Sequence, residues 1–131
     1  MIKMRLARLR RLMASQKLDG LLVTQPANRR YLSGFTPADG QLGESSGCLL
    51  IGQRDALLLT DFRYQLTAQE QAVYHQVRIY RQGVARELAG LAGQMGMRRL
   101  GLEAEALLLE QHQRLSQALE GVELVATRGL V

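Results

Sequence analysis

Chemistry at neutral pH needs a titratable or nucleophilic side chain set beside a partner, and this chain of 131 residues offers few of them. Its two histidines, His75 and His112, fall on different predicted elements. Neither has the i, i+4 spacing with a glutamate that a zinc-binding helix needs, so both read as surface or structural residues. The single cysteine, Cys48, opens the apolar run CLLIG, where a thiol serves as a small core hydrophobe. One cysteine also excludes a disulfide framework and any multi-cysteine metal site, and suits a reducing compartment. Carboxylates are more plentiful. Asp61 and Glu103 each follow a strand-like run, while Glu105 and Glu110 fall on a predicted helix. Two carboxylates converging at strand ends could hold Mg²⁺ for phosphoryl chemistry, although spacing along a chain does not establish convergence. Residues 40–47 hold three glycines but no Lys-Ser or Lys-Thr pair after them, which argues against a phosphate-binding loop. By its own residues the chain reads as catalytically empty.

The polar groups with the most deliberate placement are Asp61, Arg63 and Tyr64 at a strand-to-helix junction, and Asn28 and Tyr31 before Gly34. An aspartate at a helix start accepts hydrogen bonds from orphan backbone N–H groups, so Asp61 reads first as an N-cap. Arg63 in the first helical turn runs against the macrodipole preference and leaves room for an external anionic partner.

The elements that must position these residues follow from patterning. Ile2, Leu6, Leu9 and Met13 are spaced 4, 3 and 4 apart, one face of a helix over about residues 3–17. Leu21-Leu22-Val23-Thr24 reads as a buried strand that Pro26 stops, and residues 28–35 as a compact turn or one-turn helix. Residues 36–46 are polar, small and loop-like, expected to be exposed and mobile. Residues 48–52 and 56–60 form a hairpin around Gln53-Arg54-Asp55. Beyond it, helices over 64–73, 83–95 and 105–119 alternate with strands over 77–80, 100–102 and 122–125. This order predicts one α/β domain over residues 1–131, with a mixed sheet of five to six strands flanked by helices.

Charge adds one constraint. The net charge of +5 is an N-terminal cluster: residues 1–30 carry eight Lys or Arg against one Asp, and residues 31–131 carry nine against eleven acids. A solvated basic helix face is the plain reading. Nucleic-acid binding lacks its aromatic platforms and a reading helix. No apolar signal core or membrane-length run follows the basic residues, so the expected location is cytoplasmic and no membrane partner is expected.

Several blocks are familiar together. Leu18-Asp19-Gly20-Leu21-Leu22-Val23-Thr24, Pro26, Asn28, Tyr31-Leu32-Ser33-Gly34-Phe35, and Thr60-Asp61-Phe62-Arg63-Tyr64 with Ala68 resemble, in order and spacing, the N-terminal domain of the creatinase, prolidase and aminopeptidase P family. Gly101-Leu102-Glu103 and Val122-Glu123-Leu124-Val125 are similar to its later strand motifs. Ser33 in place of a frequent threonine, and Arg29-Arg30 where apolar residues are common, depart from the pattern.

The resemblance implies a ribonuclease H-like mixed sheet that precedes a metal-dependent "pita-bread" catalytic domain. Family members cleave the bond before proline in dipeptides or at peptide N-termini, with two divalent metal ions, Mn²⁺, Co²⁺ or Zn²⁺, activating a bridging water. The ligands of those metals belong to the C-terminal domain, so no catalytic or metal residue is expected here, and the chain alone is expected to be inactive. Its expected partners are that catalytic domain, a second subunit in a homodimer and, through the parent enzyme, proline-containing peptides. By the same resemblance, residues 36–43 would overhang the neighbouring subunit's active site. Asp39 is then a candidate gating contact, Arg63 a candidate for a substrate or partner carboxylate, and Asn28, Tyr31, Gly34, Phe35, Asp61 and Tyr64 the scaffold motif. A stand-alone interaction module, like related domains of histone-chaperone proteins, is the alternative.

Overall fold

The computed structural model describes residues 1–37 and 46–131. Two adjacent strands, β1 (Gly20–Val23) and β2 (Cys48–Gly52), are buried at every position, as uninterrupted apolar runs require when both sheet faces are covered. β3 (Ala56–Thr60) pairs with β2 through the hairpin, which Gly52 N–H closes on the Asp55 carbonyl at 2.9 Å. With β4 (Gln76–Ile79), β5 (Arg99–Glu103) and β6 (Glu123–Thr127) they make a six-stranded sheet in the order β4-β3-β2-β1-β5-β6. β2 runs antiparallel to both neighbours, and the remaining pairs are parallel. Five strands therefore end at one edge, and the mixed sheet expected from the sequence is present.

Alternation along the strands sorts the apolar side chains into two cores. Leu21, Val23, Leu49, Ile51 and Leu58 meet Leu6, Leu9 and Met13 of α1 (Ile2–Ser15), Leu32 of α2 (Pro26–Ser33) and Ala68 of α3 (Gln65–Gln71). On the other face Leu22, Leu50, Leu57 and Leu102 meet Leu88 and Leu91 of α4 (Val84–Met95) and Leu115 of α5 (Leu109–Ala118). The result is three layers, helices on both faces of the sheet. Close approach also fixes a glycine: a Cβ at Gly101 would stand 2.9 Å from Leu21 Cδ1 and 3.0 Å from Leu18 Cδ1.

Local chemistry moved some boundaries. The segment after Pro26 is a full eight-residue helix rather than a single turn. Pro26 starts it, the Gln25 side chain accepts from Asn28 N–H at 2.8 Å, and Gly34 ends it at φ 81°. Residues 62–64 form a tight 3-10 turn before α3, and α5 starts at Leu109 because residues 104–106 turn off the end of β5. The basic helix also does structural duty: Arg10 donates from Nε to the Gly52 carbonyl and from Nη2 to the Asp55 carbonyl, tying α1 to the hairpin. Among the described residues no helix is long and apolar enough to cross a membrane.

Candidate functional site

Parallel strands that end on one edge collect their following residues there, and both motif clusters lie on that edge. At the first, the Glu103 carboxylate accepts three hydrogen bonds: Oε1 from the N–H groups of Thr24 at 2.6 Å and Gln25 at 2.9 Å, and Oε2 from Asn28 Nδ2 at 2.5 Å. Glu103 thus clamps the exit of β1 and the first turn of α2 from the end of the neighbouring strand. Thr24 Oγ1 adds a bond to the Ala106 carbonyl at 2.7 Å.

At the second cluster Asp61 is an N-cap, accepting from Arg63 N–H at 2.9 Å. The same carboxylate takes Arg63 Nε at 3.0 Å and Nη2 at 2.7 Å, a two-pronged contact that fits planar guanidinium to planar carboxylate. That bonding holds the Asp61 carboxyl below the usual range and the Arg63 guanidinium above its own. Nη1 of Arg63 has no hydrogen-bond partner among the described residues, and the side chain is 62% exposed.

From Arg63 a chain of stacked groups runs inward. The guanidinium lies over the Tyr64 ring at 5.2 Å, Tyr64 meets the buried Phe35 ring edge-on at 6.5 Å, and the Arg29 guanidinium sits 5.5 Å from the Phe35 centroid. Arg29 Nη1 then donates to the Gly47 carbonyl at 2.8 Å. Phe35 and Gly47 stand on either side of residues 38–45, so Arg29 ties the two flanks of that segment together. Thr36 is fixed in turn by Gln71, whose Oε1 accepts from its N–H at 2.9 Å. Thr60 Oγ1 donates to the Ser46 carbonyl. Asp39 lies outside the described residues.

The remaining residues singled out by sequence fall apart from these clusters. Tyr31 is exposed and stacks 4.2 Å from the Arg5 guanidinium, and Gly34 is the C-cap of α2. Cys48 is a buried wall of the second core, its thiol pushed up to about 12 by burial. His75 is buried with neither ring nitrogen hydrogen-bonded, and burial with the nearby Arg10 charge lowers its pKa to about 4. Asp61 and Glu103 do not converge: three strand spacings separate them, roughly 14 Å. Among the described residues no group of three His, Cys, Asp or Glu side chains could hold a metal ion. A two-metal centre therefore finds no ligand set among these residues.

Sequence reasoning missed two residues. Glu103 figured only as a possible metal carboxylate and strand motif, because a clamp formed with Asn28 from 75 positions away leaves no local signal. Arg29 figured as a departure from an apolar position. At 2% exposure it fills that position with its aliphatic stem while its head reaches Phe35 and Gly47.

Comparison with known proteins agrees with this architecture. An uncharacterized peptidase of Bacillus subtilis (strain 168), YqhT, is 30% identical over 122 residues, covering 93% of this chain and 33% of the peptidase. The structure of an Xaa-Pro dipeptidase from Bacillus anthracis superposes with a TM-score of 0.87 at 29% identity, over 99% of this chain and 34% of the dipeptidase. The crystal structure of the N-terminal domain of the cytoplasmic peptidase PepQ from Mycobacterium tuberculosis H37Rv matches with a TM-score of 0.79 at 36% identity, over 95% of this chain and 92% of that domain. The chain thus spans about a third of the length of the full peptidases it resembles. The sequence profile of the creatinase/prolidase N-terminal domain matches residues 5–131, and with the six-stranded sheet in place the chain belongs to that family.

Proposed function

We propose that this chain is the non-catalytic front domain of a cytoplasmic, metal-dependent Xaa-Pro dipeptidase or aminopeptidase, contributing to dimerisation and restricting access to the active site of the neighbouring subunit. The observation that carries the reading is the bracing around residues 38–45. Arg29 joins Phe35 to Gly47, and Gln71 and Thr60 hold the adjoining Thr36 and Ser46. Flanks held this firmly make the rigid base that a gating loop needs. Arg63 stands at the same end of the sheet with Nη1 open to a carboxylate, its fork held by Asp61. Phe62 and Leu66, 75% and 69% exposed and one turn apart, supply an apolar face suited to a subunit or domain contact. The two divalent ions, Mn²⁺, Co²⁺ or Zn²⁺, would reside in the catalytic domain.

The test is length selectivity in a peptidase carrying this domain. Asp39→Ala and Arg63→Gln should alter the ratio of kcat/KM between an Xaa-Pro dipeptide and a longer Xaa-Pro peptide several-fold while leaving kcat on the dipeptide unchanged. An unchanged ratio in both variants removes the gating role.

A further inference from the structure

A cavity of about 350 Å³ opens at the carboxyl edge of the sheet, between the first turns of α4 and α5. Its place follows from topology. β1 and β5 are parallel neighbours, yet the chain leaves β1 for α2 on one face of the sheet and leaves β5 for α5 on the other. Such a divergence opens a crevice beyond the strand ends, where open α/β sheets bind their ligands. On one side Glu103 fills the crevice with its carboxylate and satisfies Thr24 and Gln25. On the α4/α5 side the crevice widens into the cavity, which takes Thr24 from the exit of β1 and Ala106 from the turn after β5.

The lining has a definite chemistry. Leu22, Cys48, Leu88 and Leu115 make an apolar floor, and burial keeps the Cys48 thiol neutral. Among the described residues the lining contains no Asp or Glu but two arginines, Arg86 and Arg114. Arg114 spends one nitrogen on Glu110 at 2.6 Å in a pair exposed on both sides, an arrangement worth little. Arg86 has neither an ion pair nor a hydrogen bond from its side chain among the described residues. The volume lies at the lower end of small-molecule sites, roughly 300–1000 Å³.

We propose that this cavity binds a small amphiphilic carboxylate, its apolar body on Leu22, Cys48, Leu88 and Leu115 and its anionic head at Arg86 and Arg114. A purely polar anion would forgo the floor, and a neutral apolar molecule would forgo the charged contact with Arg86 and Arg114. The site uses neither Asp39 nor Arg63 and stands apart from the gating role.

Methyl-resolved NMR titration of the 131-residue chain with hexanoate, hexanol and acetate tests the proposal. Hexanoate is expected to shift the methyls of Leu22, Leu88 and Leu115 saturably, at least fivefold more tightly than hexanol or acetate. The combined Arg86→Gln and Arg114→Gln variant should weaken hexanoate about tenfold and leave hexanol unchanged. Both side chains are exposed, and an unaltered spectrum of the free variant verifies its fold. Non-saturating shifts, equal affinity for hexanoate and hexanol, or undiminished hexanoate binding in the variant each overturn the proposal.

Discussion

Glu103 Oε2 accepts from Asn28 Nδ2 at 2.5 Å across 75 positions of sequence, fastening the second helix to the end of a strand near the far end of the chain. The same carboxylate holds the N–H groups of Thr24 and Gln25, so three donors depend on one side chain. Glu103→Ala leaves all three without their acceptor and should cost about 2–4 kcal/mol in urea unfolding. Asn28→Ala, which removes one bond, should cost about 1 kcal/mol. Equal losses in the two variants would show that the backbone contacts contribute nothing.

Arg29 bridges the flanks of residues 38–45, and its replacement separates packing from bonding. Arg29→Met keeps an apolar stem of similar reach but gives up the bond to Gly47 and the contact with the Phe35 ring. The expected loss is about 1–3 kcal/mol, with amide hydrogen exchange accelerated relative to the parent chain more at Gly47 than at Leu58 in the sheet interior. An unchanged exchange rate at Gly47 would mean that Arg29 does not brace that flank.

Burial of His75 sets the sign of a pH dependence in the fold. Its folded value of about 4 lies below the ordinary 6.5, so the fold favours the neutral ring. Stability from this residue is fully present above pH 6.5 and declines as the pH falls toward 4, because the unfolded chain takes up the proton first. Between pH 7.5 and 5 the loss should be roughly 2 kcal/mol. His75→Leu should flatten that segment of the stability curve. A curve equally steep with and without His75 would contradict the assignment.

The sequence made the architecture legible where one physical signal decided it. Leu6, Leu9 and Met13 marked the buried face of the first helix, and the apolar runs 21–24 and 48–52 marked two strands, which the structure places at Gly20–Val23 and Cys48–Gly52 and buries throughout. The Asp61 cap was legible too, since its partner is two residues away. What stayed hidden depends on distant partners. The Glu103 clamp, the bridging Arg29 and the unpaired ring of His75 each reflect neighbours that only the fold assembles.

Proline release from Ala-Pro by the purified 131-residue chain with Mn²⁺ tests the proposed non-catalytic role of this domain. The expected rate equals that of the metal-only blank at every substrate concentration. Saturable release that follows the chain through purification and scales with its concentration would overturn that role.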